Sequence, residues 1–143
     1  MYKVILAAVD GSPRAAGVVA AALEVAERFD ARVVLFRSVA VPQQFPAAAH
    51  MPPDTLPEFL QTETRRELAA LARGNPRITV EEADLISPQP WRAIVAAAER
   101  LDADLIVIGS HGYSGWDRIL GTNASRVADH ADRSVLVVHE RKR

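Results

Sequence analysis

The sequence predicts an α/β fold, a five-stranded parallel sheet held between two helical layers. Three observations predict it. Short runs of Val, Ile and Leu recur along the chain, longer stretches with helical spacing separate them, and Gly, Pro, Asp and Ser mark the joins. Strands that alternate with helices pair in parallel, because each crossover lays its helix on a sheet face. The crossovers are expected to be right-handed.

The elements follow in order. Val4 to Val9 is a continuous apolar run, as expected of a strand covered on both faces. Asp10-Gly11-Ser12-Pro13 breaks it, with Ser12 placed to cap a helix and Pro13 suited to its first position. The helix over about 13–29 would bury Val18, Ala22, Val25 and Phe29. Arg32 to Val39 is the second strand. Pro42, Pro46, Pro52 and Pro53 make 41–53 a surface loop. Thr55 and Glu58 form a capping box that opens a helix to about Arg73, stopped by Gly74-Asn75-Pro76. Ile78 to Ala83 is a weaker third strand. Ser87-Pro88 opens the third helix, with Trp91, Ile94, Val95, Ala98 and Leu101 on its inner face. Leu105 to Ile108 is the fourth strand, 122–131 a short last helix, and Val135 to Val138 the fifth strand.

Composition limits the function. The 143 residues suit one domain, 1–143, with 49% hydrophobic and 24% charged residues. A net charge of −1 argues against a general nucleic-acid binder. The absence of Cys excludes a disulfide scaffold, a thiolate zinc site and a Cys nucleophile. No apolar run approaches the ~20 residues of a membrane span. The first apolar run is too short for a signal-peptide core, so the expected location is the cytoplasm.

In open α/β sheets, ligands bind beyond the carboxyl ends of the strands. Two of the segments there carry unusual chemistry. The segment from Gly109 to Gly121 holds four of the seven glycines, Gly109, Gly112, Gly115 and Gly121, and feeds a helix at Thr122. Glycines let backbone N–H groups converge on an anion, and a helix N-terminus favours phosphate. Thr122 and Ser125 could add hydroxyl donors. Spacing alone is equally consistent with a tight turn and a Thr cap. Asp10 could accept hydrogen bonds from an adenine amino group or a ribose hydroxyl, or it could bond the backbone of its own turn. No GxxxxGK[ST] is present, and no GxGxxG follows the first strand.

Together these segments resemble the universal stress protein (UspA-like) family. Ile5-Leu6-Ala7-Ala8-Val9-Asp10-Gly11-Ser12 is similar to that family's first strand and turn. Asp102 to Gly112 is similar to its fourth strand and glycine loop, and Ser134 to Val138 to its last strand. The ATP-binding branch carries G-x2-G-x9-G-[ST]. Gly109, Gly112, Gly121 and Thr122 match it with a gap of eight residues instead of nine.

The resemblance implies a flavodoxin-like, Rossmann-like three-layer sandwich with strand order 3-2-1-4-5. It implies that Asp10 contacts adenine or ribose, that Ser38 or Val39 lines the adenine pocket, and that Ile108 packs on the base. Gly109 and Gly112 would admit ribose and phosphates, and Gly121, Thr122, Asn123 and Ser125 would hold the phosphates. The implied ligand is ATP, bare or with Mg²⁺. An apolar edge strand at Val135 to Val138 should not stay bare, and in the family it pairs across a two-fold axis to give a homodimer.

The function implied is a nucleotide-dependent sensor or regulator in stress response. The alternatives are a nucleotide-independent dimeric interaction module and a slow ATPase. Enzyme chemistry is the weaker reading. The signatures HxGH and SGGxDS are missing, no Lys lies near the glycine loop, and no base has an evident partner. His111 is read as a packing or loop residue and Trp91 as helix core.

Overall fold

A computed structural model describes residues 1–38, 55–80, 89–110 and 122–140. The elements are β1 (Val4–Ala8), α1 (Ala15–Phe29), β2 (Arg32–Phe36), α2 (Thr55–Ala72), β3 (Ile78–Val80), α3 (Pro90–Arg100), β4 (Leu105–Gly109), α4 (Thr122–His130) and β5 (Ser134–Val138). The strands form one parallel sheet in the order β3-β2-β1-β4-β5, as expected.

β1 lies at the centre. Ile5, Leu6 and Ala7 have no exposed surface. β1 pairs with β2 on one side (Ala8 opposite Phe36) and with β4 on the other (Ala8 opposite Ile108). Alternation along the strands divides the interior into two layers. Ile5, Ala7, Val33, Leu35, Leu105 and Val107 face α1 and α2, where they meet Val18, Val19 and Leu68. Leu6, Ala8, Val34, Phe36, Ile106 and Ile108 face α3 and α4, where they meet Ile94 and Val127. The buried helix faces are rich in alanine: Ala15, Ala22 and Ala26 on α1, and Ala93, Ala97 and Ala98 on α3.

Several boundaries differ from those the sequence suggests. α1 begins at Ala15, two residues later than expected, because Ser12 to Arg14 form a tighter turn first, with Ala15 N–H donating to the Ser12 carbonyl at 3.1 Å. Arg14 is the cap residue and makes no side-chain capping bond. α3 begins at Pro90, so this proline takes the early helical position expected of Pro88. Phe29 is 44% exposed instead of buried. It is the last residue of α1, and its ring packs edge-on with that of Tyr2, with centroids 5.1 Å apart. The expected stop after α2 is present. Arg73 and Gly74 both have positive φ, and Asn75 Oδ1 accepts the Arg77 N–H at 3.0 Å. The expected Pro-rich loop at 41–53, the end of the third strand at 81–83 and Ser87-Pro88 lie outside the described residues. No helix among the described residues is long and apolar enough to cross a membrane.

Polar side chains tie the amino ends of the strands together. Asp104 Oδ2 accepts the N–H of Lys3 at 2.7 Å and of Val4 at 2.9 Å, and Asp104 N–H donates to the Val4 carbonyl at 2.8 Å. Arg133 Nη1 donates to the carbonyls of Ala98 and Ala103, closing the end of α3 over the start of β5. The N–H donors of Val4 and Lys3, helped by the Lys3 charge, hold the Asp104 carboxyl below the usual Asp value of about 3.9.

A lowered folded-state pKa favours the charged form. Its stabilisation is therefore present above about pH 4 and is lost as pH falls through the folded value. Asp104→Asn should cost about 1 kcal/mol at pH 7, the magnitude of a partly solvated hydrogen-bonded carboxylate. Urea unfolding at a series of pH values checks this, with the gap to wild type narrowing as the solution becomes more acidic.

Candidate functional site

The order β3-β2-β1-β4-β5 makes the chain leave β1 and β4 toward opposite faces of the sheet: α1 covers one face, and α4 the other. In open α/β sheets such a reversal, here beyond the carboxyl ends of β1 and β4, marks where ligands bind. Of the residues the sequence singles out, Asp10, Ser38, Ile108 and Gly109 end three adjacent strands at this rim, and Thr122, Asn123 and Ser125 start α4.

Asp10 is half-buried. Its Oδ1 accepts the Ser12 N–H at 2.9 Å and the Ser12 hydroxyl at 2.5 Å. The Ser12 Oγ in turn accepts the Arg14 N–H at 3.2 Å. The carboxylate therefore shapes the turn through one oxygen, as an Asx turn does. Ser12 serves Asp10 and the turn together, which is why the helix starts later than a simple Ser cap would set it.

Gly11 is exposed and lies beside a guanidinium. A Cβ at this position would stand 2.7 Å from Arg37 Nη2, so a side chain at residue 11 would have to displace Arg37. Arg37 follows β2 and pairs with Glu67 of α2. Its side chain is largely covered while that of Glu67 is mostly exposed. A second pair, Arg14 Nε to Glu140 Oε2 at 3.4 Å, joins the start of α1 to the segment after β5. The turn after β1 is thus bordered by two cations, each with an acidic partner.

Gly109 packs against α1, since a Cβ there would stand 3.4 Å from Val18 Cγ2, an ordinary contact. Ile108 is buried on the α3 and α4 face. Asn123 and Ser125 are half-buried in the first turn of α4, around the buried Ala124. Thr122 is the first residue of that helix. Val39, Gly112 and Gly121 lie outside the described residues, as do His111 and the rest of the glycine segment. Trp91 is half-buried, as expected of a helix inner face, and its ring packs on His130 of α4 with centroids 4.4 Å apart.

Ser110 and Arg37 are not among the residues the sequence singles out. Ser110 is 2% exposed, and its Oγ is buried with no hydrogen-bond partner among the described residues; the Ser38 Oγ is in the same condition. Strand alternation was the available signal. Position 110 shares the parity of Ile106 and Ile108, and position 37 that of Val33 and Leu35. Among the described residues, no group of three or more His, Cys, Asp or Glu is placed to hold a metal ion.

The fold defines a flavodoxin-like α/β protein whose switch point lies between β1 and β4. Residues 1–139 match the model of the "Universal stress protein family", and the chain belongs to that family. It is 32% identical over 142 residues to universal stress protein A homolog 1 of Coxiella burnetii, covering 96% of each chain. Among solved structures, it is similar to universal stress protein UspA from Lactobacillus plantarum, with a TM-score of 0.71 and 26% identity over 96% of this chain and 97% of that one. It also shares the fold of the universal stress protein from Archaeoglobus fulgidus in complex with dAMP, with a TM-score of 0.63 and 22% identity over 96% of this chain and 97% of that one.

Arg37→Ala should lower stability by about 1 kcal/mol, through the packing of its covered stem as well as its charge. A double-mutant cycle with Glu67→Ala, measured by urea unfolding, should give a coupling of about 0.5–1 kcal/mol that shrinks in high salt.

Proposed function

We propose that this chain is a nucleotide-dependent sensor or regulator in stress response. It binds one adenine nucleotide, ATP bare or with Mg²⁺, in the crevice beyond β1 and β4. One observation carries the reading: the glycine segment starts at Gly109, on the strand beside the Asp10 turn, and ends at Thr122, the first residue of a helix. A helix N-terminus offers unpaired N–H groups and a positive dipole end to phosphate. The dAMP bound by the Archaeoglobus relative supports an adenine ligand.

In this reading, Asp10 accepts from the base or ribose, Ser38 and Val39 line the base, and Ile108 packs on it. Gly109 and Gly112 admit ribose and phosphates. Gly121, Thr122, Asn123 and Ser125 hold the phosphates. The protein works in the cytoplasm as one domain per chain.

Calorimetric titration with Mg-ATP should show one site per chain, with GTP binding at least tenfold more weakly. Gly112→Val and Gly121→Asp should each weaken ATP by tenfold or more. Variants that bind as tightly as wild type would place the nucleotide elsewhere.

The proposal includes a homodimer formed through β5. This edge strand leaves Leu136 38% exposed, and an unpaired apolar edge invites a second strand. Sedimentation should give a dimer, shifted toward monomer by Leu136→Lys.

A further inference from the structure

Space, and not backbone conformation, explains the glycine at position 11. Among the described glycines, Gly74 is the one with a positive φ, so the backbone at Gly11 admits any residue. Gly11 is also exposed, so burial of the turn does not ask for a missing side chain. What an added Cβ would meet is one side chain. Its three nearest atoms are Arg37 Nη2 at 2.7 Å, Cζ at 3.2 Å and Nη1 at 3.4 Å, the whole breadth of a guanidinium.

That guanidinium is held from the other side. Arg37 Nη1 donates to Glu67 Oε2 on α2. The Arg37 side chain is 19% exposed and that of Glu67 is 56% exposed, so the arginine is seated and its partner is at the surface. Glu67 is followed by Leu68, which is 1% exposed and fixes this part of α2 in the core. On the opposite side, Gly11 stands between Asp10 and Ser12. The Ser12 N–H and hydroxyl both bond Asp10 Oδ1, so the guanidinium abuts a closed turn at its midpoint. One planar head therefore joins the turn after β1, the end of β2 and α2.

We infer that Arg37, anchored by Glu67, is a salt-sensitive latch that couples the turn after β1 to α2, and that residue 11 is glycine so that the latch can close. The inference concerns the movement of the turn and does not depend on the nucleotide reading above. An ion pair with one exposed partner weakens as salt rises, because the screening length falls from about 10 Å at 0.1 M to about 3 Å at 1 M. Without its anchor the guanidinium leaves its seat beside Gly11, and the turn opens more readily. The coupling is reciprocal: whatever orders the turn also steadies α2 at Glu67.

Hydrogen exchange followed by NMR tests this on the free protein. The probe is the Ser12 amide, which donates to Asp10 Oδ1 at 2.9 Å. The reference is the Asp102 amide at the other end of the sheet, which donates to the Glu99 carbonyl at 3.1 Å. Glu67→Gln keeps the size of the side chain and removes its charge, and Gly11→Ala pushes the guanidinium off its seat. Each should lower the Ser12 protection factor about 2- to 5-fold, the effect of one such pair, and leave that of Asp102 unchanged. The double variant should lose no more than the larger single loss, because both changes release the same latch. Raising salt from about 0.1 M to about 1 M should lower Ser12 protection by a similar factor in wild type and not in Glu67→Gln. Wild-type protection of Ser12 in Glu67→Gln overturns the inference, as do losses that multiply in the double variant or an equal salt response in both proteins. A loss shared by Ser12 and Asp102 overturns it too, because the pair would then serve overall stability and not the turn.

Discussion

Burial of β1 on both faces and both edges is the constraint that organises this protein. A strand in that position must be apolar throughout, because Ile5 to Ala8 are buried and only Val4 at its start is partly exposed. Ile5, Leu6 and Ala7 meet that demand with no exposed surface. Its backbone groups are satisfied by β2 on one side and β4 on the other. The chain returns to pair with β1 a second time only after β3 and α3, and this return reverses the side on which the helices lie. The rim residues owe their positions to that reversal, since Asp10 and Ser110 end neighbouring strands whose outgoing segments part.

Charge at the rim is arranged rather than scattered. Asp10 organises its own turn through Ser12, Arg37 lies beside Gly11 and is held by Glu67, and Arg14 is held by Glu140. Each cation reaches its partner from a different element, so α2 and the segment after β5 are both tied to the turn after β1. The amino ends of the strands are tied separately, by Asp104 and Arg133. The two ends of the sheet thus have independent polar fastenings, with the apolar layers between them.

Much of this was legible in the sequence, and the remainder has physical reasons. The unbroken run from Val4 was readable because a central parallel strand allows no polar interruption. The Gly74-Asn75 stop was readable because its cue is local. Phe29 misled because helical periodicity marks a face and not how far the sheet beneath it extends. The start of α1 misled because Asp10 engages Ser12 and adds a turn before the helix. The glycines around Ser110 drew attention from the serine, although parity with Ile108 marked its side of the sheet. The pairing of Arg37 with Glu67 spans 30 residues and two elements, and no local pattern encodes it. At the site, Asp10 was legible at the mouth of the first strand, Ser38 entered through the family resemblance, and Ser110 was not singled out.

The alanine faces of α1 and α3 have a consequence for how the interior orders itself. Alanine has no side-chain torsion to freeze, and the valines and isoleucines of the sheet are already restricted about χ1. The two interior layers therefore sacrifice little rotamer freedom when they form. The same economy removes slack. A longer side chain at Ala22 or Ala97, both buried, would have to displace packed neighbours. Variation in this interior is thus expected to run toward exchanges among small residues on the helices and among branched ones on the strands.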